Sequence, residues 1–510
     1  MPTNVKENGF ESSIVSWLVQ HNGYEQGSNA DYNKEIAMDE TRLFRFLNTT
    51  QADKMKQLRL ENDPLEKEKF LQRLDQSLHT NGVIDLLRKG FRYKHLVLDM
   101  FYVRPSPGNE TAAKLYAQNI FSVTRQLQYS RQNPLLALDV CLFLNGLPIA
   151  TMELKNQLTK QNAADAVKQY KDERTPDEVL FGFKRCIVHF AVDDNEVRMC
   201  TELKGQKSWF LPFNKGYNDG AGNPPNPDGI KTDYLWKEIL RKDDFSNIIE
   251  NYVQIICDED EETHKKSYKQ IFPRYHQLQL VTSLLADAKR DGVGKRYLIQ
   301  HSAGSGKSNS IAWLAHQLVT LKDATDHNIF DTVIVVTDRV NLDKQIRNTI
   351  RQFMQVSSTV GWAKDSSELG TLLEKGTKII ITIVHKFQFI LEDISKLHTN
   401  RSFAILIDEA HSSQNGDLST KMNIVLSGSE YDNDDLLEDK INTLIDGKKL
   451  AKNASYFAFT ATPKNKTLEV FGREEIQPDG SKRFFPHYVY TMKQAIEEHF
   501  IMDVLRYYTP

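Results

Sequence analysis

Five short apolar runs punctuate the second half of the chain: "RYLIQ" (296–300), "TVIVVT" (332–337), "KIIITIV" (378–384), "FAILID" (403–408) and "SYFAFT" (455–460). Each is continuous rather than alternating. A strand with one wet face alternates apolar and polar residues, so continuous runs predict strands covered on both faces. Stretches with helical spacing lie between them. From about residue 270 onward the pattern therefore predicts a parallel α/β sheet.

The loops after these strands carry chemistry. "LIQHSAGSGKSNSIAWLAHQL" (298–318) reads as strand, Gly-rich loop and helix. Gly304, Ser305, Gly306, Lys307 and Ser308 form the core of a P-loop, with His301 where the first glycine usually stands. Small residues let backbone amides curl around phosphate oxygens, and the helix N-terminus adds partial positive charge. Lys307 is placed to neutralise the β- and γ-phosphates and Ser308 to ligate magnesium. In "ILIDEAHSS" (405–413), Asp408 ends a buried strand and can hold the same magnesium through water. Glu409 is placed to polarise an attacking water, and His411 completes a DEAH box. In "FTATP" (459–463), Thr460 and Thr462 are small hydroxyl residues at a strand exit, suited to coupling.

In this order, these motifs resemble the first RecA-like domain of a superfamily 2 helicase or translocase. That resemblance implies ATP as cofactor. It makes Gln277 of "FPRYHQLQLV" (272–281) the reader of the adenine edge, supported by Arg274. It also makes Thr337, Arg339, His385 and Lys386 contacts to the DNA backbone, where hydroxyls and cations position a strand without reading sequence.

The first half has a different texture. Residues 1–90 alternate amphipathic helices with polar loops, and residues 93–215 are rich in strand patterns. The stretch "LALDVCLFLNGLPIATMELKN" (136–156) reads as a buried hairpin around Asn145-Gly146, yet it carries Asp139, Glu153 and Lys155. A core normally excludes such charges. Two carboxylates and a lysine are what a magnesium-dependent nuclease needs. The acids hold the cation, with the Leu154 carbonyl as a further ligand, and the lysine orients the nucleophile or steadies the transition state. Side chains alternate along a strand, so register decides the matter. A strict two-residue turn would set Asp139 opposite Met152. A three-residue loop, or an equivalent bulge, sets it opposite Glu153 with Lys155 on the same face. The three-residue loop or its equivalent is the expectation.

A nuclease followed by a motor resembles the R subunit of type I restriction–modification enzymes, with "LPFNKG", "GAGNPPNP" and "TDYLWKEIL" as further points of likeness. The resemblance implies an α/β chain: a PD-(D/E)xK nuclease-like mixed-sheet domain, then a RecA-like P-loop parallel-sheet domain. The expected divisions are 1–250 for the endonuclease, 251–270 for a linker and 271–490 for the first motor domain. Residues 491–510 are expected to begin a second motor domain that is incomplete here. The resemblance further implies Mg2+, double-stranded DNA, and methyltransferase and specificity subunits as partners. Tyr170 is a supporting residue of the nuclease site, whereas Gln169 is given no role. Glu11 is read as a helix charge. Two other readings stay open: an ATPase whose N-terminal domain binds DNA without cutting, and a truncated, non-enzymatic remnant.

Composition adds bounds. A net charge of −3 does not by itself announce a nucleic-acid binder. The cysteines, Cys141, Cys186, Cys200 and Cys257, include no CxxC pair, and the N-terminus has no apolar leader. A reduced, cytoplasmic setting without membrane contact is the expectation.

Overall fold

The computed structural model describes residues 7–105, 108–156, 160–259, 263–302, 304–337, 349–350, 360–363, 366–383, 400–408 and 451–501. These divide into two units. One comprises residues up to Tyr217 with Gly222–Tyr275; the other comprises Asn218–Ala221 with His276 onward.

The first unit is built on α1 (Glu7–Gln20) and a seven-stranded mixed sheet. Its strands are β1 (Glu25–Gln26), β2 (Phe121–Gln128), β3 (Ala137–Leu144), β4 (Leu147–Leu154), β5 (Val188–Val192), β6 (Val197–Cys200) and β7 (Leu211–Pro212), which lie side by side in chain order. β2, β3 and β4 are antiparallel neighbours, and β4 runs parallel to β5. That parallel step needs a crossover, supplied by α2 (Ala163–Glu173), which buries Ala163, Ala166, Val167 and Tyr170. Within the segment expected as a linker, 251–270, the described residues instead include an antiparallel pair, β8 (Gln254–Glu259) with β9 (Lys266–Ile271), inside the first unit. The pair is exposed at Asp258, Glu259 and Lys266–Lys269, so that part of the sequence is largely polar without being a connector. Cys141, Cys186 and Cys200 are buried free thiols, and Cys257 is half-buried.

The β3–β4 hairpin departs from the expected loop and keeps the expected register. Leu144 pairs with Leu147 across a two-residue turn in which Asn145 has φ 52° and Gly146 φ 84°. Both left-handed values mark the mirror-image turn that Asn-Gly favours. The extra residue lies further along. Phe143 pairs with Pro148 and Leu142 with Ala150, so Ile149 is bulged. Pro148 has no N–H to give the ladder, which makes this a natural place for the break. Beyond it Cys141 faces Thr151 and Val140 faces Met152, a register that carries Asp139 opposite Glu153.

The turn itself is buried. Asn145 is fully enclosed: its Oδ1 accepts from Ile120 N at 2.7 Å, and its Nδ2 donates to Met100 O at 2.9 Å and Asn119 Oδ1 at 3.0 Å.

The second unit contains α3 (Tyr275–Asp291), β10 (Arg296–His301), α4 (Lys307–Thr320), β11 (Thr332–Thr337), β12 (Val360–Trp362), β13 (Ile379–Ile383), β14 (Phe403–Ile407), β15 (Ala454–Thr460) and β16 (Tyr488–Tyr490). The sheet order is β12-β13-β11-β14-β15-β10-β16, and every pairing is parallel. All five apolar runs form strands, and the strands β11, β14 and β15 are buried along their whole length. The predicted parallel sheet is present.

A Cβ at Gly146 would sit 2.4 Å from Asp39 O and 2.6 Å from Leu43 Cβ. Gly146→Ala therefore combines left-handed strain with overpacking, and is expected to destabilise the first unit by roughly 2 kcal/mol or more in denaturant unfolding.

Candidate functional site

In the first unit, a cavity of about 480 Å³ opens at the end of the β3–β4 hairpin, and Glu11, Gln126, Asp139, Lys155, Gln169 and Arg174 are among the residues lining it. Asp139 Oδ2 accepts from Leu154 N at 2.8 Å, which ties the two strands together. Asp139 Oδ1 accepts from Gln126 Nε2 at 3.2 Å, and the same amide nitrogen donates to Glu11 Oε2 at 3.0 Å. Gln126 has φ 45° within β2, an unusual value for a side-chain-bearing strand residue. Lys155 is 8% exposed.

Glu153 is fully buried. Its Oε1 accepts from Arg174 Nε at 2.6 Å, while Oε2 has no hydrogen-bond partner among the described residues. Burial pushes the Glu153 carboxyl well above the usual carboxylate range, and Asp139 beside it pushes the same way, against the pull of Arg174. Burial alone would weaken the Arg174 charge, yet Glu153 more than offsets that and holds the guanidinium above its ordinary value.

This donor set fits a hard divalent cation. Two oxygen donors stand close together, and a buried carboxylate oxygen without a donor calls for a proton or a cation. Among the described residues no group of three or more His, Cys, Asp or Glu side chains converges as a metal cluster, so the side-chain donors are the two carboxylates.

Sequence reasoning gave Tyr170 a place at the site and left Gln169, Glu11 and Arg174 out. Gln169 lines the cavity, whereas Tyr170 is turned into the core, its hydroxyl bonded to Thr151 Oγ1 at 2.8 Å. Thr151 Oγ1 also meets His189 Nδ1 at 2.7 Å. Tyr170 thus braces the strand that carries Glu153 from behind. Glu11 is 2% exposed and bonds Arg125 Nε at 2.8 Å. The missed signals were in the spacing. Glu11 shares a helical stripe with Val15 and Leu18, and Arg174 follows Tyr170 by four residues, just past the end of α2.

In the second unit, Gly304 and Gly306 take φ 71° and 85°, the left-handed values their loop requires. Lys307 opens α4 and lies 3.9 Å from Asp408 Oδ1 at the exit of β14. Ser308 is half-buried in the first turn of the helix. His301, in place of the usual glycine, bonds Ser305 Oγ through Nδ1 and lies 3.4 Å from Ser310 Oγ through Nε2. Gln277 Nε2 donates to Gly306 O at 3.0 Å, so this side chain grips the loop backbone. Arg274 is half-buried just before α3. Thr337 and Thr460 are buried at the exits of β11 and β15, and Thr462 is exposed. Arg339, His385, Lys386, Glu409 and His411 lie outside the described residues.

A mixed-sheet unit with an acid-lined cavity, followed by a parallel-sheet unit with a P-loop, defines a nuclease-like fold joined to a RecA-like ATPase fold. Comparison with known proteins agrees. Residues 4–208 match the family described as type I restriction enzyme R protein N terminus, and residues 276–509 match the SWI2/SNF2 ATPase family. The type I restriction enzyme HindI endonuclease subunit of Haemophilus influenzae is 26% identical over 70% of this chain and 33% of its own length. The SauMSSORF170P endonuclease subunit of Staphylococcus aureus is 25% identical over 92% of this chain and 45% of its own. A fragment of a putative HsdR subunit from Vibrio vulnificus covers 71% of this chain and 51% of its own, at 16% identity and a TM-score of 0.27. The chain is R-subunit-like, with an R-protein N-terminal domain and an SNF2-like ATPase domain. It spans about a third to a half of the length of these curated relatives.

The buried chain behind β4 has a pH consequence. Burial pulls His189 from 6.5 down to about 3, so the fold holds it neutral. Its contribution is fully present above 6.5 and is lost as pH falls toward 3, because the unfolded chain takes up the proton first. His189→Asn is expected to flatten the acid limb of stability by up to about 1.4 kcal/mol per pH unit, measured as the difference from wild type in denaturant titrations.

Proposed function

We propose that this chain supplies the DNA-cutting and motor functions of a type I restriction enzyme: magnesium-dependent cleavage of double-stranded DNA coupled to ATP-driven translocation, within a complex that includes methyltransferase and specificity subunits. The observation that carries the reading is the Ile149 bulge, whose register sets buried Glu153 beside Asp139, a residue of the cavity wall, with a Glu153 oxygen left without a hydrogen-bond partner among the described residues. The setting this implies is cytoplasmic; among the described residues no helix is long and apolar enough to cross a membrane.

On this reading Asp139 and Glu153 hold the divalent cation, which when bound stabilises negative charge on the scissile phosphate and lowers the pKa of water. Lys155 orients the attacking oxygen and steadies charge on the phosphate. Glu11 and Gln126 keep Asp139 turned toward the cavity. In the second unit Lys307 binds the terminal phosphates, Ser308 and Asp408 hold Mg2+, and Glu409 directs the hydrolytic water. Arg274 and Gln277 meet the base. Thr460, Thr462 and His411 link nucleotide state to the DNA track, to which Thr337, Arg339, His385 and Lys386 contribute phosphate contacts.

Two measurements test this. In a plasmid nicking assay with Mg2+, Asp139→Ala and Lys155→Ala are each expected to lose roughly 100-fold or more of the wild-type rate. Equal cleavage by all three proteins would refute the nuclease assignment and leave a DNA-binding ATPase. Separately, Lys307→Ala is expected to weaken ATP binding at least about 10-fold, read by fluorescent-nucleotide titration, while leaving nicking by the first unit in place.

A further inference from the structure

The Glu153 partner that sequence reasoning passed over has an arrangement of its own. Arg174 caps the C-terminal end of α2 and is 2% exposed. Its guanidinium makes four directed hydrogen bonds. Nε donates to Glu153 Oε1 at 2.6 Å, Nη1 to Tyr129 Oη at 3.0 Å and to Glu173 Oε2 at 3.4 Å, and Nη2 to the Ala137 carbonyl at 2.9 Å. It also lies 5.3 Å from the centre of the Tyr129 ring.

Two of these bonds end on different strands of the same hairpin. Glu153 is on β4. Ala137 is on β3, two residues before Asp139. One rigid planar group thus spans both strands at the end where the two carboxylates stand. It claims Oε1 of Glu153 and leaves Oε2 uncommitted. An arginine meant to touch a scissile phosphate would keep its donors free toward the cavity; this one spends them on the protein. The guanidinium fork is what makes such a span possible, since an ammonium is a point charge without fixed directions.

We propose that Arg174 is a positioning residue, a strut from α2 that fixes the spacing of Asp139 and Glu153 and presents one Glu153 oxygen to a divalent cation. The proposal rests on the nuclease reading above. It assigns Arg174 no contact with DNA and no proton transfer.

The test uses the full 510-residue chain, with Mn2+ and Ca2+ alone as probes in calorimetric titrations, and then Mn2+-dependent nicking. The variants are Arg174→Lys, which keeps the charge and loses the fork, and Tyr129→Phe, which removes one anchor of the strut and keeps the ring. Asp139→Ala is the control for site-specific binding. Residues that orient metal ligands typically contribute 10–100-fold to affinity. Arg174→Lys is expected to raise the Mn2+ half-saturation concentration at least about 10-fold, with the rate at saturating Mn2+ falling by less than that factor. Tyr129→Phe is expected to shift the half-saturation in the same direction by a smaller factor. A general loss of folding would lower the plateau rate and the thermal midpoint without moving the metal half-saturation, and that outcome overturns the proposal. Wild-type affinities in both variants overturn it as well, with the nuclease reading intact. Absence of Asp139-dependent Mn2+ binding in the wild type overturns the nuclease reading itself, and the strut with it.

Discussion

One inserted residue governs the first unit. Without the Ile149 bulge, the alternation of β4 would carry Glu153 to the opposite face from Asp139. With it, the two acids converge, and Thr151, two residues before Glu153, meets Tyr170 and His189 beneath α2. The insertion is held in place from the turn side. Pro148 withdraws a donor from the ladder, and the Asn145-Gly146 turn, clasped by Met100, Asn119 and Ile120, fixes that end of the pairing. A slip of the strand would have to undo all of these together.

Burying two carboxylates side by side opposes folding unless something compensates. The first unit compensates in stages. Asp139 takes hydrogen bonds from Leu154 N and Gln126, Glu11 is paired with Arg125, and Glu153 takes Arg174. What is left over is one Glu153 oxygen with no hydrogen-bond partner among the described residues. The residual is chemically specific. A proton would satisfy it, and on the proposed nuclease reading a divalent cation would do the same. In the second unit Lys307 and Asp408 face each other across 3.9 Å, opposite charges near the loop that would cradle phosphate.

The sequence was most legible where pattern and structure share a period. Continuous apolar runs became the parallel strands of the second unit, because a strand covered on both faces has no polar phase to show. The P-loop was readable because Gly304 and Gly306 have a conformational reason to be glycine. Register was readable only as a condition: the charges of the hairpin demanded an odd residue, but its position depended on Pro148 and on packing that composition does not display. The linker reading failed because an exposed hairpin and a connector share a polar composition; β8–β9 is distinguished by its partner strand alone. Arg174 and Glu11 were passed over because a charge on or just past an apolar helical stripe is usually discounted, although that misfit is what marked them. Long-range pairings, such as Arg174 with Ala137 O or Arg125 with Glu11, leave no trace in local spacing.

The buried turn has a consequence for the chemical lifetime of the protein. Asparagine followed by glycine is the dipeptide most prone to spontaneous deamidation, which proceeds through attack of the following backbone nitrogen on the side-chain amide. Here that amide is shielded from water and held by bonds to three neighbouring residues, so it cannot swing into a succinimide ring. Ageing at this position is confined to chains that have already unfolded. The native hairpin thereby protects the very linkage on which its own geometry rests.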